Sequence, residues 1–393
     1  MSPSTRTERG LVATVFVCFA GTYFLMPFIP LYVQELGGFD AATTALWSGL
    51  ILGATPLVSG IVAPFWGMLA DRYGRRIMLQ RSLFGFAICL GAMGLATEHW
   101  HLLAIRATEG LFGGFMASAA ALISTTSPPE RVSIGIGRTH AARVLGMAAG
   151  PLPGGLMADY AGYRPACFAA MVLAFVALLM VTLFTSETVR RAVRDTQKEI
   201  VPLRRVITSG AFLSVFGAIL VTRLAERSFD PVLPLLVAQS TEGTGVASAT
   251  SAITAIGFVA SGVAAAAIGH VVEGKATRTL FIVLLLSVLA FAPIAFVDGW
   301  WSLLVFRIAT GLLLGASFTL AVSLVALETP LERRGAALGI IGSGSSYGSA
   351  LGFLLAGLLS PISLGSVFIA DSILLLAAAL LFAMGRGWLR RRE

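Results

Sequence analysis

Gly67-Met68-Leu69-Ala70-Asp71-Arg72-Tyr73-Gly74-Arg75-Arg76 is a short charged stretch between two long apolar runs, 44–69 and 78–96. Apolar runs of about 17–25 residues are long enough to cross a bilayer as helices. A connection this short between two such helices makes a tight hairpin, with its charges at the membrane face. Arginine clusters often serve only to fix orientation, and that reading stays open for Arg75 and Arg76. It does not account for Asp71, an acid among basic residues at a helix end.

The same alternation continues along the chain. Of its 393 residues, 56% are hydrophobic and 12% charged; a soluble domain carries about 25% charge. This is the composition of an all-α integral membrane protein. Further apolar runs lie at 10–34, 100–123, 135–158, 165–185, 208–238, 246–272, 279–297, 301–325, 335–360 and 364–385, which gives twelve spans. The first contains Met26-Pro27-Phe28-Ile29-Pro30 and exceeds the apolar core of a signal peptide, so it reads as a retained, proline-kinked helix. The expected organisation is a cytoplasmic tail at 1–9, a six-helix bundle at 10–185, a charged linker at 186–207, a second six-helix bundle at 208–385 and a basic tail at 386–393.

Twelve spans put both termini on one side. The terminus side holds Arg6, Arg9, the hinge arginines, Arg81, Arg131, Arg138, the linker's basic residues, Lys275, Arg278, Arg333, Arg334 and the C-terminal arginines, whereas the opposite side holds only Arg164. Positive charge collects in the cytoplasm, so both termini are expected there. The same sorting explains the net charge of +8 without a nucleic-acid partner. Cys18, Cys89 and Cys167 all lie inside apolar runs, with no spacing for a metal or a disulfide framework.

The two halves repeat. A shift of about 201 or 202 residues lays Arg106-Ala107-Thr108-Glu109-Gly110 on Arg307-Ile308-Ala309-Thr310-Gly311, Pro128-Pro129-Glu130-Arg131 on Pro330-Leu331-Glu332-Arg333, and Asp71 on Glu273. Gly269-His270-Val271-Val272-Glu273-Gly274-Lys275-Ala276 resembles a phosphate-binding loop, but Ala276 stands where a magnesium-binding Ser or Thr is needed. The repeat identifies it as a degenerate second hinge. The sequence therefore offers no ATP site, and no cofactor is implied.

The pattern Gly-x-x-x-Asp-Arg-x-Gly-Arg-Arg resembles the signature of the major facilitator superfamily between spans two and three. With Met26-Pro27-Phe28-Ile29-Pro30-Leu31-Tyr32-Val33, Leu46-Trp47-Ser48-Gly49 and Pro64-Phe65-Trp66-Gly67, the chain is most similar to the superfamily's twelve-span drug:proton antiporters, in particular the MdtG-like group. That resemblance implies two pseudo-symmetric six-helix halves with a substrate cavity between them. It implies that Gly67, Asp71, Arg72, Gly74, Arg75 and Arg76 form a gating hinge, with Asp71 docking at the N-terminus of span eleven, where the helix dipole favours an anion. Arg106 matches the arginine of the family's span-four motif. Gly146, Gly150, Pro151, Gly154 and Gly155 resemble the span-five motif of its exporters, although small residues four apart also serve ordinary helix packing.

The intramembrane charges carry chemistry of their own. An ionised side chain at the bilayer centre costs about 2.5–3.5 kcal/mol even on lenient scales. Glu109, three residues beyond Arg106, is either half of a self-neutralising pair or a titrating carboxylate tuned by it. Arg223, Glu226, Arg227 and Asp230 crowd into span seven, where they form either an inter-helix salt-bridge lattice or a second site of proton handling. Arg307 has no acid beside it in sequence. Asp371 is isolated in span twelve, either as a partner to Arg307 or as a cavity residue. Tyr23, Met26, Phe28, Met116, Arg223 and Tyr347 are candidate cavity walls.

The expectation is therefore a non-enzymatic, proton-coupled antiporter of the bacterial inner membrane, monomeric, exporting small hydrophobic or cationic compounds. Export of sugars or other polar metabolites, a proton-independent facilitator and a lipid flippase are the alternatives on the same fold.

Overall fold

The computed structural model describes residues 3–187, 207–240, 245–271, 276–297 and 299–386. Most of the 186–207 linker, the 272–275 part of the second hinge and the tail beyond Arg386 therefore lie outside the described residues. No strand occurs among the residues described.

The helices are α1 (Pro3–Leu25), α2 (Ile29–Gly37), α3 (Ala41–Tyr73), α4 (Arg75–Gly94), α5 (His99–Leu111), α6 (Phe115–Thr126), α7 (Pro129–Ala149), α8 (Pro151–Ala161), α9 (Tyr163–Phe184), α10 (Gly210–Ser240), α11 (Val246–Val271), α12 (Ala276–Phe291), α13 (Trp300–Glu328), α14 (Leu331–Leu359) and α15 (Ser366–Gly385). Each expected span coincides with one helix or a broken pair. Ten stretches among the described residues are long and apolar enough to cross a membrane. The expected fifth and seventh spans are helical but are not among the ten; α7 carries several arginines and α10 four charges in eight residues.

Three breaks have local causes. A 3-10 turn at Met26–Phe28 separates α1 from α2, because Pro27 and Pro30 have no N–H for the helical ladder. Pro151 likewise separates α7 from α8. The third break, at Phe112–Gly114, contains no proline; there Gly114 adopts φ +94°, a backbone that only glycine enters without strain. Helix α1 begins at Pro3, and Glu8 is buried and accepts a hydrogen bond from Arg138 Nη1 at 2.7 Å.

The chain divides into two compact units. Unit 1 takes the described parts of residues 1–39, 54–195 and 241–258; unit 2 takes those of 40–53, 196–240 and 259–393. The core of unit 1 joins Leu11 and Val15 of α1, Leu79 and Leu83 of α4, Phe115 and Leu122 of α6, and Val181 of α9. In unit 2, Phe229 of α10 packs on Phe291 of α12 and Phe368 of α15. Each unit thus follows one sequence half but borrows the first turns of a helix from the other: 40–53 and 241–258 are equivalent under the repeat.

Candidate functional site

The hinge forms as a hairpin closed by one residue. α3 runs to Tyr73, Gly74 turns the chain at φ +98°, and α4 starts at Arg75. Gly74 supplies no capping side chain. The carboxylate of Glu187, just past α9, does so instead, accepting the Arg75 N–H at 3.0 Å and the Arg76 N–H at 2.9 Å. An anion at a helix N-terminus satisfies orphan donors and the dipole together. Arg76 Nη2 also donates to the Thr182 carbonyl at 2.6 Å, and Arg72 lies over the Tyr73 ring. In the sequence Glu187 reads only as linker charge. The available signal is an acid at the end of span six facing a helix start with no cap of its own. Gly67 and Asp71 lie within α3, but the Asp71 side chain is outside what is described, and so is the dock expected of it.

The span-four charges are sealed inside unit 1. Arg106 and Glu109 are 2% and 3% exposed, and Arg106 Nη1 donates to Glu109 Oε2 at 2.7 Å. The other guanidinium nitrogen, Nη2, points at Met26 Sδ, 3.7 Å away at the α1 kink, and Thr55 of α3 donates to the Arg106 carbonyl. The kinked helix and the charge pair therefore share one interior. The other candidate wall residues sit differently. Phe28 is buried and stacked on Tyr163, Tyr23 packs edge-on against Phe258, and Met116 lies against the unit 1 core.

In unit 2, all four charges of α10 point inward. Arg223 pairs with Glu226, and Arg227 Nη1 with Asp230 Oδ2 at 3.1 Å, each pair three residues apart on the same helix. Both close pairs lie within α10, and the charge of Arg307 on α13 acts on Glu226 and Asp230 from the neighbouring helix. Arg223 also lies 3.7 Å over the ring of Phe318 of α13. Arg307, the repeat equivalent of Arg106, stacks over Phe229 at 4.6 Å and makes no ion pair among the described residues. Asp371 is fully buried, with one oxygen accepting the Ser228 hydroxyl and the other without a partner among the described residues. Its neighbour is thus a serine of α10, where the sequence leaves Arg307 as one option. Tyr347 is half-buried in α14.

The span-five motif is a contact surface. A Cβ on Gly146, Gly150 or Gly154 would strike the carbonyls of Phe16, Ala20 and Phe24, spaced four apart on α1. One on Gly155 would meet Ala247 and Ser251 at the start of α11. The second half repeats this design. Gly348 and Gly352 of α14 meet the Leu220 and Leu224 carbonyls of α10, and Gly357 meets Ala45 and Leu46. The glycines therefore belong to helix packing in both halves. Pro151 has no such counterpart: Phe353 stands at the matching position.

Comparison with known proteins fits this arrangement. A family model described as Major Facilitator Superfamily matches residues 11–273 and again 215–393. The multidrug resistance proteins MdtG of Salmonella arizonae and Salmonella typhimurium are each 36% identical to this chain over 338 residues, covering 82% of it and 83% of their own length. Among solved structures, an inward-facing bacterial homolog of the human lysosomal transporter Spinster superposes with a TM-score of 0.78 at 15% identity, over 98% of this chain and 97% of that one. A point mutant of the nucleoside transporter NupG gives 0.78 at 12% identity, over 96% and 99%. These two structures share the fold. The family match along both halves and the identity to curated relatives make this a multi-pass membrane protein and a secondary transporter, not an enzyme: the chain belongs to the Major Facilitator Superfamily.

Proposed function

We propose that this transporter is a proton-coupled antiporter that exports small hydrophobic or cationic compounds across the bacterial inner membrane by alternating access. Twelve spans, both termini in the cytoplasm and a monomeric state complete the reading. The observation that carries it is the Arg106–Glu109 pair, sealed at 2% and 3% exposure beside the α1 kink. A charge pair held this way in a membrane is expensive, and it is compensated only while its two partners stay together. Protonation removes that dependence, so gain and loss of a proton can bias which arrangement of the helices is stable. Asp230 and Glu226 offer the same chemistry in the second half. The similarity to the MdtG proteins supports drugs as the cargo, and the proline of the span-five motif supports export over uptake.

The test is a drug-accumulation panel in efflux-deficient cells, comparing wild type with Glu109→Gln and Asp230→Asn, with and without a protonophore. The expected result is lower accumulation with wild type, abolished by the protonophore and by Glu109→Gln. Export that continues unchanged at pH 7 after the proton gradient is dissipated contradicts the mechanism and favours a facilitator or flippase.

A further inference from the structure

The break between α5 and α6 leaves three consecutive carbonyls, those of Leu111, Phe112 and Gly113, beside the helix that carries Arg106 and Glu109. All three are captured by side chains. Trp66 Nε1 donates to the Leu111 carbonyl at 2.7 Å; Arg81 Nη2 donates to Gly113 at 2.6 Å and to Phe112 at 3.3 Å. The two donors also lock to each other, with the Arg81 guanidinium 3.4 Å over the Trp66 ring. The surroundings are cut to fit the break. A Cβ on Gly85 would fall inside the Phe112 ring, and one on Gly113 would collide with Ser59. In a bilayer, freed backbone groups must find partners within the protein, so a break without proline needs this kind of clamp to persist.

We propose that Trp66 and Arg81 are positioning residues for the Arg106–Glu109 pair, tying the span-four break to the hairpin at 67–76. Their places in the sequence give the reason. Trp66 is the last residue before the hinge stretch on α3, and Arg81 lies five residues beyond it on α4. Any change in the angle between α3 and α4 must slide the guanidinium across the indole or pull one donor from its carbonyl. Either movement acts on residues 111–113, two to four positions after Glu109. A gate motion at the hairpin thereby reaches the buried carboxylate through three hydrogen bonds and one stack. The proposal rests on the proton-coupled reading for its consequence and on the geometry of unit 1 for its existence.

Two measurements on purified protein separate these. Trp66→Phe keeps a ring beneath Arg81 and removes only the indole N–H; Arg81→Gln removes the fork and the charge. Hydrogen–deuterium exchange should rise at least tenfold in the 111–118 segment of each variant, with the middle of α4 unchanged; wild-type exchange there overturns the clamp. In proteoliposomes with an imposed pH gradient and ethidium as probe, each variant should lose at least fivefold in transport rate while ethidium binding in detergent stays within twofold. A smaller loss, or one matched by lost binding, overturns the positioning role. Glu109→Gln in the same assay tests the underlying reading alone: if it transports like wild type, the coupling assignment falls, while the exchange result still decides the clamp.

Discussion

Among the described residues, Glu109 has a single charged partner within bonding distance, Arg106, so the two residues are not equivalent to mutation. Glu109→Gln replaces a carboxylate with an isostere that can still accept from the guanidinium. It should leave folded protein near wild-type amounts and cut gradient-driven export at least tenfold. Arg106→Ala strands a buried carboxylate, and breaking such a pair costs about 3–5 kcal/mol; it should lower the melting temperature in detergent as well as transport. Equal melting temperatures for the two variants would mean the pair contributes little to the fold. Ser228→Ala should destabilise by about 1–3 kcal/mol, because it removes the donor to a buried Asp371 oxygen, and thermal denaturation checks it. At this scale the sequence is legible where partners are close in the chain. Spacing by three residues points to Arg106–Glu109, and the same spacing underlies the pairs of α10. Met26 on Arg106 and Ser228 on Asp371 are not legible, because they join positions 80 and 143 residues apart and neither Met nor Ser announces an ion's neighbour.

Helices meet here through glycine. The rows Gly146, Gly150, Gly154 on α7–α8 and Gly348, Gly352 on α14 bring backbones into contact with α1 and α10, the close approach that small residues allow in membranes. Gly154→Val and Gly352→Val should both fail by the same overpacking, losing at least about 1–3 kcal/mol and most of the folded protein in size-exclusion profiles. Pro151→Ala should behave differently. It restores a backbone donor toward the Met147 carbonyl, so the protein should melt no lower than wild type while export falls severalfold. Wild-type export by Pro151→Ala would reduce the motif to packing. Apolar run lengths place the helical segments within a few residues, and the prolines mark two of the three breaks. The third, at Phe112–Gly114, is hidden because Gly113-Gly114 looks like any small-residue contact. The Glu187 cap is hidden because the linker's many charges mask one acid with a specific place.

The molecule is a duplicated chain, and the repeat survives in detail. Gly155 on Ala247 and Ser251 mirrors Gly357 on Ala45 and Leu46. The copies differ where charge is concerned. The start of α3 is capped from within, since Thr43 N–H donates to Asp40, whose carboxyl is held below its ordinary range by the Thr43 hydroxyl and that N–H. The equivalent start of α11 is capped by Asp159 of α8, which accepts the N–H groups of Ala247 at 3.2 Å and Ser248 at 2.8 Å. Asp159→Ala should therefore cost about 1 kcal/mol of the kind lost with any N-cap, read as a small fall in melting temperature that Asp159→Asn largely restores. Arg106 pairs with an acid three residues on in its own helix, whereas Arg307 stacks on Phe229 and meets its acids from α10, the same divergence in the interior. The most direct measurement is simultaneous recording of drug and proton movement by purified protein in proteoliposomes, wild type beside Glu109→Gln. In wild type an outward-directed substrate gradient should drive protons the opposite way, and Glu109→Gln should move none; substrate movement in wild type with no accompanying proton flux would contradict proton coupling.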